Sequence, residues 1–192
     1  CTFINLGQWP DTDVAGRDVF RYCRINGTWG VTHGFTSGVT GRHFEFYNNT
    51  FSCTSTTGNM QGRYFWCRGG TGIMTDNVVN SVANTGAYGD AAALDIGDNT
   101  SPTGDGQVMR PGWGHNGTSH VLDPIYIWNQ TGPRAYTYHF QGNWNTTVQL
   151  NRELYVNNGA KPGYQKYPYP HTLRAAAAPD TTPPVIGGTN VS

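Results

Sequence analysis

"FEFYNNT" at residues 44–50 and "IYIWNQT" at residues 125–131 are one phrase written twice, 81 positions apart. Each runs through apolar or aromatic residues, then Asn, then Asn or Gln, then Thr. Alternation puts Phe44 with Phe46, and Ile125 with Ile127, on one face of a strand. Leu94 with Ile96 repeats the pattern. The Asn then turns the chain, because its side chain bonds nearby backbone and tolerates left-handed φ. With Asn48 as the reference, "INLGQW" aligns Asn5 and "INGTW" aligns Asn26. "MTDNVV" aligns Asp76, "IGDNT" Asp98, "IWNQT" Asn129 and "YVNNG" Asn157. The phrase recurs seven times, at spacings of 21 to 31 residues.

A period of that size with one short strand and one turn per unit reads as a β-solenoid, each repeat forming one rung. Asn side chains stacked rung above rung can ladder their amides and satisfy donors inside the turn. Unequal rung lengths fit insertions placed in loops, chiefly residues 101–120 and 132–147. Sandwiches and barrels also use polar turns, but at spacings of about 8–12 residues.

Four segments carry a resemblance. They are "HFEFYNNTFSCTS", "RGGTGIMTDNVV", "LDPIYIWNQTG" and "LYVNNGAKPGYQKYPYPHTLR". Together they resemble the C-terminal part of secreted bacterial right-handed parallel β-helix proteins of the pectate-lyase-like superfamily, over about residues 30 to 174. The closing phrase departs from the family at Thr172, where Pro is usual. The resemblance implies an all-β, right-handed parallel β-helix of about seven rungs over residues 1–174, with an extended tail. It does not imply one activity, because the superfamily mixes lyases, hydrolases, binding proteins, adhesins and phage spikes.

Bulk composition agrees with β structure. The 192 residues carry 12 basic and 12 acidic side chains, and only 12% are charged. No basic field exists to hold phosphates, so nucleic acid is excluded as an expected partner. No apolar run approaches the roughly 20 residues of a membrane span. Seven Asn-x-Ser/Thr triplets begin at Asn26, Asn48, Asn99, Asn116, Asn129, Asn145 and Asn190. They are read as turn sequences rather than glycosylation sites. Few charges and an even cysteine count point to a secreted or surface setting.

The cysteines are Cys1, Cys23, Cys53 and Cys67, with no C-x-x-C spacing for zinc or redox chemistry. Cys1 and Cys23 fall at nearly the same place in consecutive rungs, within bridging distance for stacked strands. A Cys1–Cys23 disulfide is expected, which leaves Cys53–Cys67. The chain opens on Cys rather than Met, so a processed or excised segment is expected; acylation of Cys1 is the lesser alternative. At the other end, "AAAAPDTTPPVIGGTNVS", residues 175–192, reads as a Pro/Thr-rich linker. It runs into the opening strand of an absent immunoglobulin-like domain, or into a strand donated to a neighbour.

Catalytic motifs are sparse. Lyases of this fold need a Lys or Arg base and a calcium ion or Arg to neutralise a uronate. Asp95, Asp98 and Asp105 are the nearest candidates for calcium, without a recognisable loop, and Arg110 follows them where a lyase would carry its Arg. Asp11, Asp13 and Asp18, or Asp90, Asp95 and Asp98, are the acid clusters a glycosidase would need. His115 and His120 lack a third metal ligand, so no resident cofactor is expected. Sugar binding has better support. Sugar rings stack on flat aromatics and their hydroxyls seek Asn, Gln, His and Arg. Arg110, Trp113, His115 and Asn116 on one loop, with Gln141, Trp144 and Asn145 on another, make a groove if both loops leave the same side. The opposing expectation is that Trp113 and Trp144 fold back over the solenoid. Trp9, Trp29, Trp66 and Trp128 lie on or beside rungs and read as packing.

The expected function is therefore an extracellular β-helix domain that binds polysaccharide. Two alternatives stand beside it: a fibre subunit stacking end to end through uncapped rungs, and a polysaccharide lyase or glycoside hydrolase.

Overall fold

A computed structural model describes residues 1–6, 11–12, 16–27, 30–32, 42–53, 63–82, 92–97, 110–115 and 119–166. In chain order the first strands are β1 (Thr2–Leu6), β2 (Asp11–Thr12), β3 (Arg17–Arg21), β4 (Arg24–Gly27), β5 (Gly30–Thr32) and β6 (His43–Tyr47). Then come β7 (Thr50–Cys53), β8 (Arg63–Cys67), β9 (Thr71–Thr75), β10 (Val78–Val82) and β11 (Ala92–Ile96). A hairpin follows, β12 (Trp113–His115) antiparallel to β13 (His120–Leu122). The chain continues through β14 (Ile125–Trp128), β15 (Tyr138–Phe140), a 3-10 turn at Trp144–Thr146 and β16 (Leu154–Val156). Among the described residues there is no α-helix.

Apart from the hairpin, the strands pair in parallel and fall into three sheets. Sheet A has the order β1-β4-β7-β10, sheet B the order β15-β11-β8-β5-β2, and sheet C the order β16-β14-β9-β6-β3. Successive strands therefore visit A, B and C in rotation. On the last passage sheet A is represented by an isolated parallel bridge from Val78 to Thr131. The expectation of an all-β chain with parallel pairing holds. The repeat maps unevenly onto the sheets, which have four, five and five strands among the described residues.

The reason lies in the turns. Tyr22, Asn48, Asp76, Asn129 and Asn157 all have φ between 50° and 55°, and each directly follows a strand of sheet C. Asn48, Asp76, Asn129 and Asn157 are thus the turns the phrase indicated. Asn5 and Asn26 are not: they stand inside β1 and β4, on sheet A. Asp98 lies outside the described residues. Aligning by sequence alone merged different corners, and the true partner of Asn48 below it is Tyr22.

The expected ladder exists one residue further on. Asn49 Oδ1 accepts from Cys23 N (3.0 Å), and Asn49 Nδ2 donates to Phe20 O (2.8 Å). Asn77 Oδ1 accepts from Asn49 N (2.9 Å) and Asn49 Nδ2 (3.0 Å), while its Nδ2 donates to Phe46 O (2.8 Å). Gln130 Oε1 continues the series by accepting from Asn77 N (2.9 Å). Its longer side chain leaves Nε2 buried without a partner.

One apolar core draws on all three sheets. Sheet A gives Ile25, Phe51 and Val79; sheet B gives Phe65, Leu94 and Ile96; sheet C gives Phe44, Phe46, Met74, Ile125 and Ile127. Phe44 and Phe46 meet Phe65 at ring distances of 4.5 and 4.7 Å. Gly72 is paired with Phe44, and a Cβ there would stand inside the Phe44 ring.

The predicted disulfides are not formed: Cys1, Cys23 and Cys67 are free thiols. Cys1 and Cys23 do sit on neighbouring strands, with Arg24 N donating to Cys1 O (2.8 Å). Cys23 is nevertheless buried and donates its thiol to Arg21 O (3.2 Å), whereas Cys1 is exposed. Cys67 points into the core from sheet B, while Cys53 belongs to sheet A. Burial pushes the Cys67 thiol up to about 12.

The chain divides into two compact units, Cys1–Ala160 and Lys161–Ser192. All of the strands belong to the first. The described part of the second is a turn in which Tyr164 N donates to Lys161 O (3.1 Å). The expected boundary at residue 174 and the 175–192 tail lie outside the described residues.

Candidate functional site

Sheet B carries a row of register partners in which Val31, Trp66 and Asp95 are buried and His139 is exposed. Parallel register aligns Asp11, Val31, Trp66, Asp95 and His139 across β2, β5, β8, β11 and β15. The flanking side chains Phe65, Leu94 and Tyr138, and Cys67, Ile96 and Phe140, pack into the core. Alternation therefore turns the intervening row outward. At the start of β8 and β11 the alternation breaks, because Tyr64 and Phe65, like Ala93 and Leu94, enter the core in succession. Thr137 O accepts from both Ala93 N (3.0 Å) and Leu94 N (3.2 Å), as in a bulge. The break puts Arg63 on the outer side, with its guanidinium 4.0 Å from the Trp66 ring centroid. Arg68 lies over the same ring at 4.9 Å.

Asp95 is the hub. Its Oδ2 pairs with Arg63 Nη1 and accepts from Gln141 Nε2 (2.7 Å); its Oδ1 lies 3.0 Å from His139 Nδ1. Arg63 and Asp95 side chains are buried, while the His139 side chain is 49% exposed. An ionised carboxylate only accepts, so His139 Nδ1 is the donor to Asp95. In the neutral ring the lone pair then resides on Nε2. A buried ion pair costs desolvation that an apolar pair would avoid. The row is therefore poor packing material, and such charge clusters favour functional sites.

The two long connections leave from the same side. Residues 97–124 join β11 on sheet B to β14 on sheet C, and residues 141–153 join β15 to β16, also from B to C. They touch: Gly112, at φ 82°, lies so close to Glu153 that a Cβ would clash with it. Of the seven residues expected to bind sugar, Arg110 and Asn145 are exposed and Trp113 is partly exposed. Gln141 is buried under Asp95, and Trp144 is buried in the core against Gly97. Trp144 thus follows the fold-back expectation and cannot stack on a sugar. The His115 side chain and Asn116 lie outside the described residues, as do Asp13, Asp90, Asp98 and Asp105. Of the acid clusters, Asp11 is on sheet B, Asp18 is on sheet C, and Asp95 is bonded to Arg63, Gln141 and His139. His115 and His120 are register partners across the hairpin. Among the described residues no three metal-ligating side chains converge.

Sequence reasoning missed Arg63 and His139. His139 had a signal: in "YHF", Tyr138 and Phe140 alternate inward, which leaves His139 outward. Arg63 had none, because its orientation depends on the bulge. Sheet C carries a lesser outer feature, Tyr126 stacked on Tyr155 at 4.6 Å and 3°. Compared with protein-family models, curated proteins and solved structures, the chain matches none.

Proposed function

We propose that the three sheets wind as one right-handed parallel β-helix of the pectate-lyase-like kind. In this reading the chain is a domain that binds polysaccharide outside the cell, along the outer face of sheet B. The rotation of strands through A, B and C supports the coil, as does a core common to all three sheets. The observation that carries the function is the buried Arg63–Asp95 pair holding a half-exposed His139. A chain with so few charges sinks a full ion pair into an outer face, where it fixes one accessible hydrogen-bonding ring. Parallel strands repeat at about 4.8 Å, so ligand groups along a polymer meet protein groups at a regular interval. Arg110 and Trp113 stand on the connection that borders this face and supply a charged and an aromatic contact.

The free thiols withdraw the disulfide argument for an oxidising compartment. The extracellular reading rests on the low charge. A glycan array tests it. Binding to at least one polysaccharide, weakened tenfold or more in both His139→Ala and Trp113→Ala, is the expected result. An array with no bound glycan, or binding untouched by either change, would refute this assignment.

A further inference from the structure

We infer that His139 is a general base, oriented by Asp95, for hydrolysis of acyl esters carried on a polysaccharide. The inference rests on sheet B being the polymer-binding face. Three features carry it. Asp95 has both oxygens engaged, so it holds His139 through Nδ1 and leaves the Nε2 lone pair free to take a proton. The ring is half exposed, so a ligand or a water can reach it. Its orientation is locked from beneath by Arg63 and Gln141 acting on Asp95, the arrangement of a base held by a third group.

The surroundings narrow the reaction. Glycoside hydrolysis uses two carboxyl groups between about 5 and 9.5 Å apart. Among the described residues the other acidic position in this register, Asp11, lies three strands from Asp95, roughly 14 Å at 4.8 Å per strand. Asp95 itself is neither free to donate a proton nor open to attack. Lyase chemistry asks for a cation turned to the substrate's carboxylate, and Arg63 is turned to Asp95 instead. An oriented imidazole open to solvent suits ester hydrolysis. Water attacks the ester carbonyl carbon while His139 Nε2 takes its proton. The tetrahedral intermediate then collapses, the bond from the acyl carbon to the sugar oxygen breaks, and Nε2 returns the proton to that oxygen. One ester and one water give one carboxylic acid and one free hydroxyl. Asp95 is a positioning residue, because it acts through the ring.

The test uses the full chain with acetylated xylan and p-nitrophenyl acetate. His139→Gln is the variant of choice, since the side chain is half exposed on an edge strand and the fold should persist, as circular dichroism will verify. Acetate release above the buffer rate, falling at least about 100-fold in His139→Gln, is expected of a lost general base. Asp95→Asn should alter the pH profile of the remaining rate as well as its size. Side-chain 15N spectra should show His139 protonated on Nδ1 and bare on Nε2. Glycan binding with no His139-dependent acetate release would overturn the catalytic inference and leave the binding reading standing. His139-dependent hydrolysis of p-nitrophenyl acetate by a protein that binds no glycan would overturn the binding reading and keep the base. Protonation on Nε2 in the spectra would remove the premise of the inference.

Discussion

Replacing Asn77 by Ala should destabilise the protein about twice as much as replacing its neighbour Asp76, although Asp76 occupies the left-handed turn position. The Asn77 side chain is fully buried and makes three hydrogen bonds, two accepted from Asn49 and one donated to Phe46 O. Ala strands the buried Asn49 N–H, at about 1–3 kcal/mol, and removes two further bonds at roughly 0.5–1.5 kcal/mol each. The Asn49 amide keeps its bond to Phe20 O, which trims the loss. About 3 kcal/mol is expected. Asp76→Ala forfeits one bond from the Thr75 hydroxyl (3.0 Å) and accepts the left-handed penalty of about 1–2 kcal/mol. Its sum is about 1.5 kcal/mol, because a non-glycine residue already bears part of that penalty. Urea unfolding followed by tryptophan fluorescence measures both. With a slope near 2 kcal/mol/M, Asn77→Ala should lower the midpoint by about 1.5 M. A double-mutant cycle with Asn49→Ala should give a coupling of about 0.5–1.5 kcal/mol, because the Asn49 side chain shares one bond with Asn77, from Nδ2 to Oδ1, while the bond from Asn49 N–H survives that substitution. An Asn77→Ala cost below about 1 kcal/mol, or an additive cycle, would refute the ladder as the stabilising element of this corner.

Four further outcomes follow from the same geometry. Gln130→Asn should stabilise by about 1 kcal/mol, because the shorter amide can donate to sheet C as Asn49 and Asn77 do and ends the orphaned Nε2; a urea midpoint that falls would contradict this. Arg63→Met or Asp95→Leu alone should each cost about 3–5 kcal/mol by breaking the buried pair, while the double variant should cost much less than their sum; full additivity in unfolding experiments counts against the pair. Native protein treated with iodoacetamide should be modified at Cys1 and spared at Cys67, read by peptide mass spectrometry. The Cys67 thiol also sets an alkaline limit. Its folded value of about 12 lies above the ordinary 9.0, so the unfolded chain releases the proton first. The stability gained from the neutral thiol is whole below pH 9 and is lost as the pH rises towards 12. Cys67→Ala should flatten that limb.

The strands were legible in the sequence and the corners were not. Phe44 with Phe46, Leu94 with Ile96 and Ile125 with Ile127 alternate in the chain as they do in the core, because burial of one strand face imposes a period of two. The turn signal was weaker for a physical reason. Asn and Asp suit a left-handed residue, but Tyr22 holds that position as well, at φ 53°. Asn is also tolerated in a strand, as Asn5 and Asn26 demonstrate on sheet A. One residue type thus occurs at two kinds of position, and a period drawn through all of them mixes corners of different sheets. The second residue of the turn was the better marker. Asn49, Asn77 and Gln130 each carry an amide, and each accepts from the backbone N–H one layer below. Only an acceptor beside a donor can do this at a buried corner, so chemistry restricts that position more tightly than it restricts the residue before it.

The candidate site was hidden for the complementary reason. Gln141 and Asp95 stood out in the sequence as polar residues in loops or acid clusters, yet both are buried and bonded to each other. What joins them is register: β8, β11 and β15 place Arg63, Asp95 and His139 side by side although 32 and 44 residues separate the bonded pairs. Parallel pairing always sets such distances, because each neighbour lies a whole passage through the three sheets away. A local motif cannot form under that constraint, and a site on such a sheet is assembled from single residues on successive layers. The test of a polar residue here is therefore the face it takes on its own strand, and then what its register partners are. His139 passes that test, between two inward aromatic residues and beside a buried carboxylate. Trp144 fails it, because its ring fills the space that Gly97 leaves open in the core.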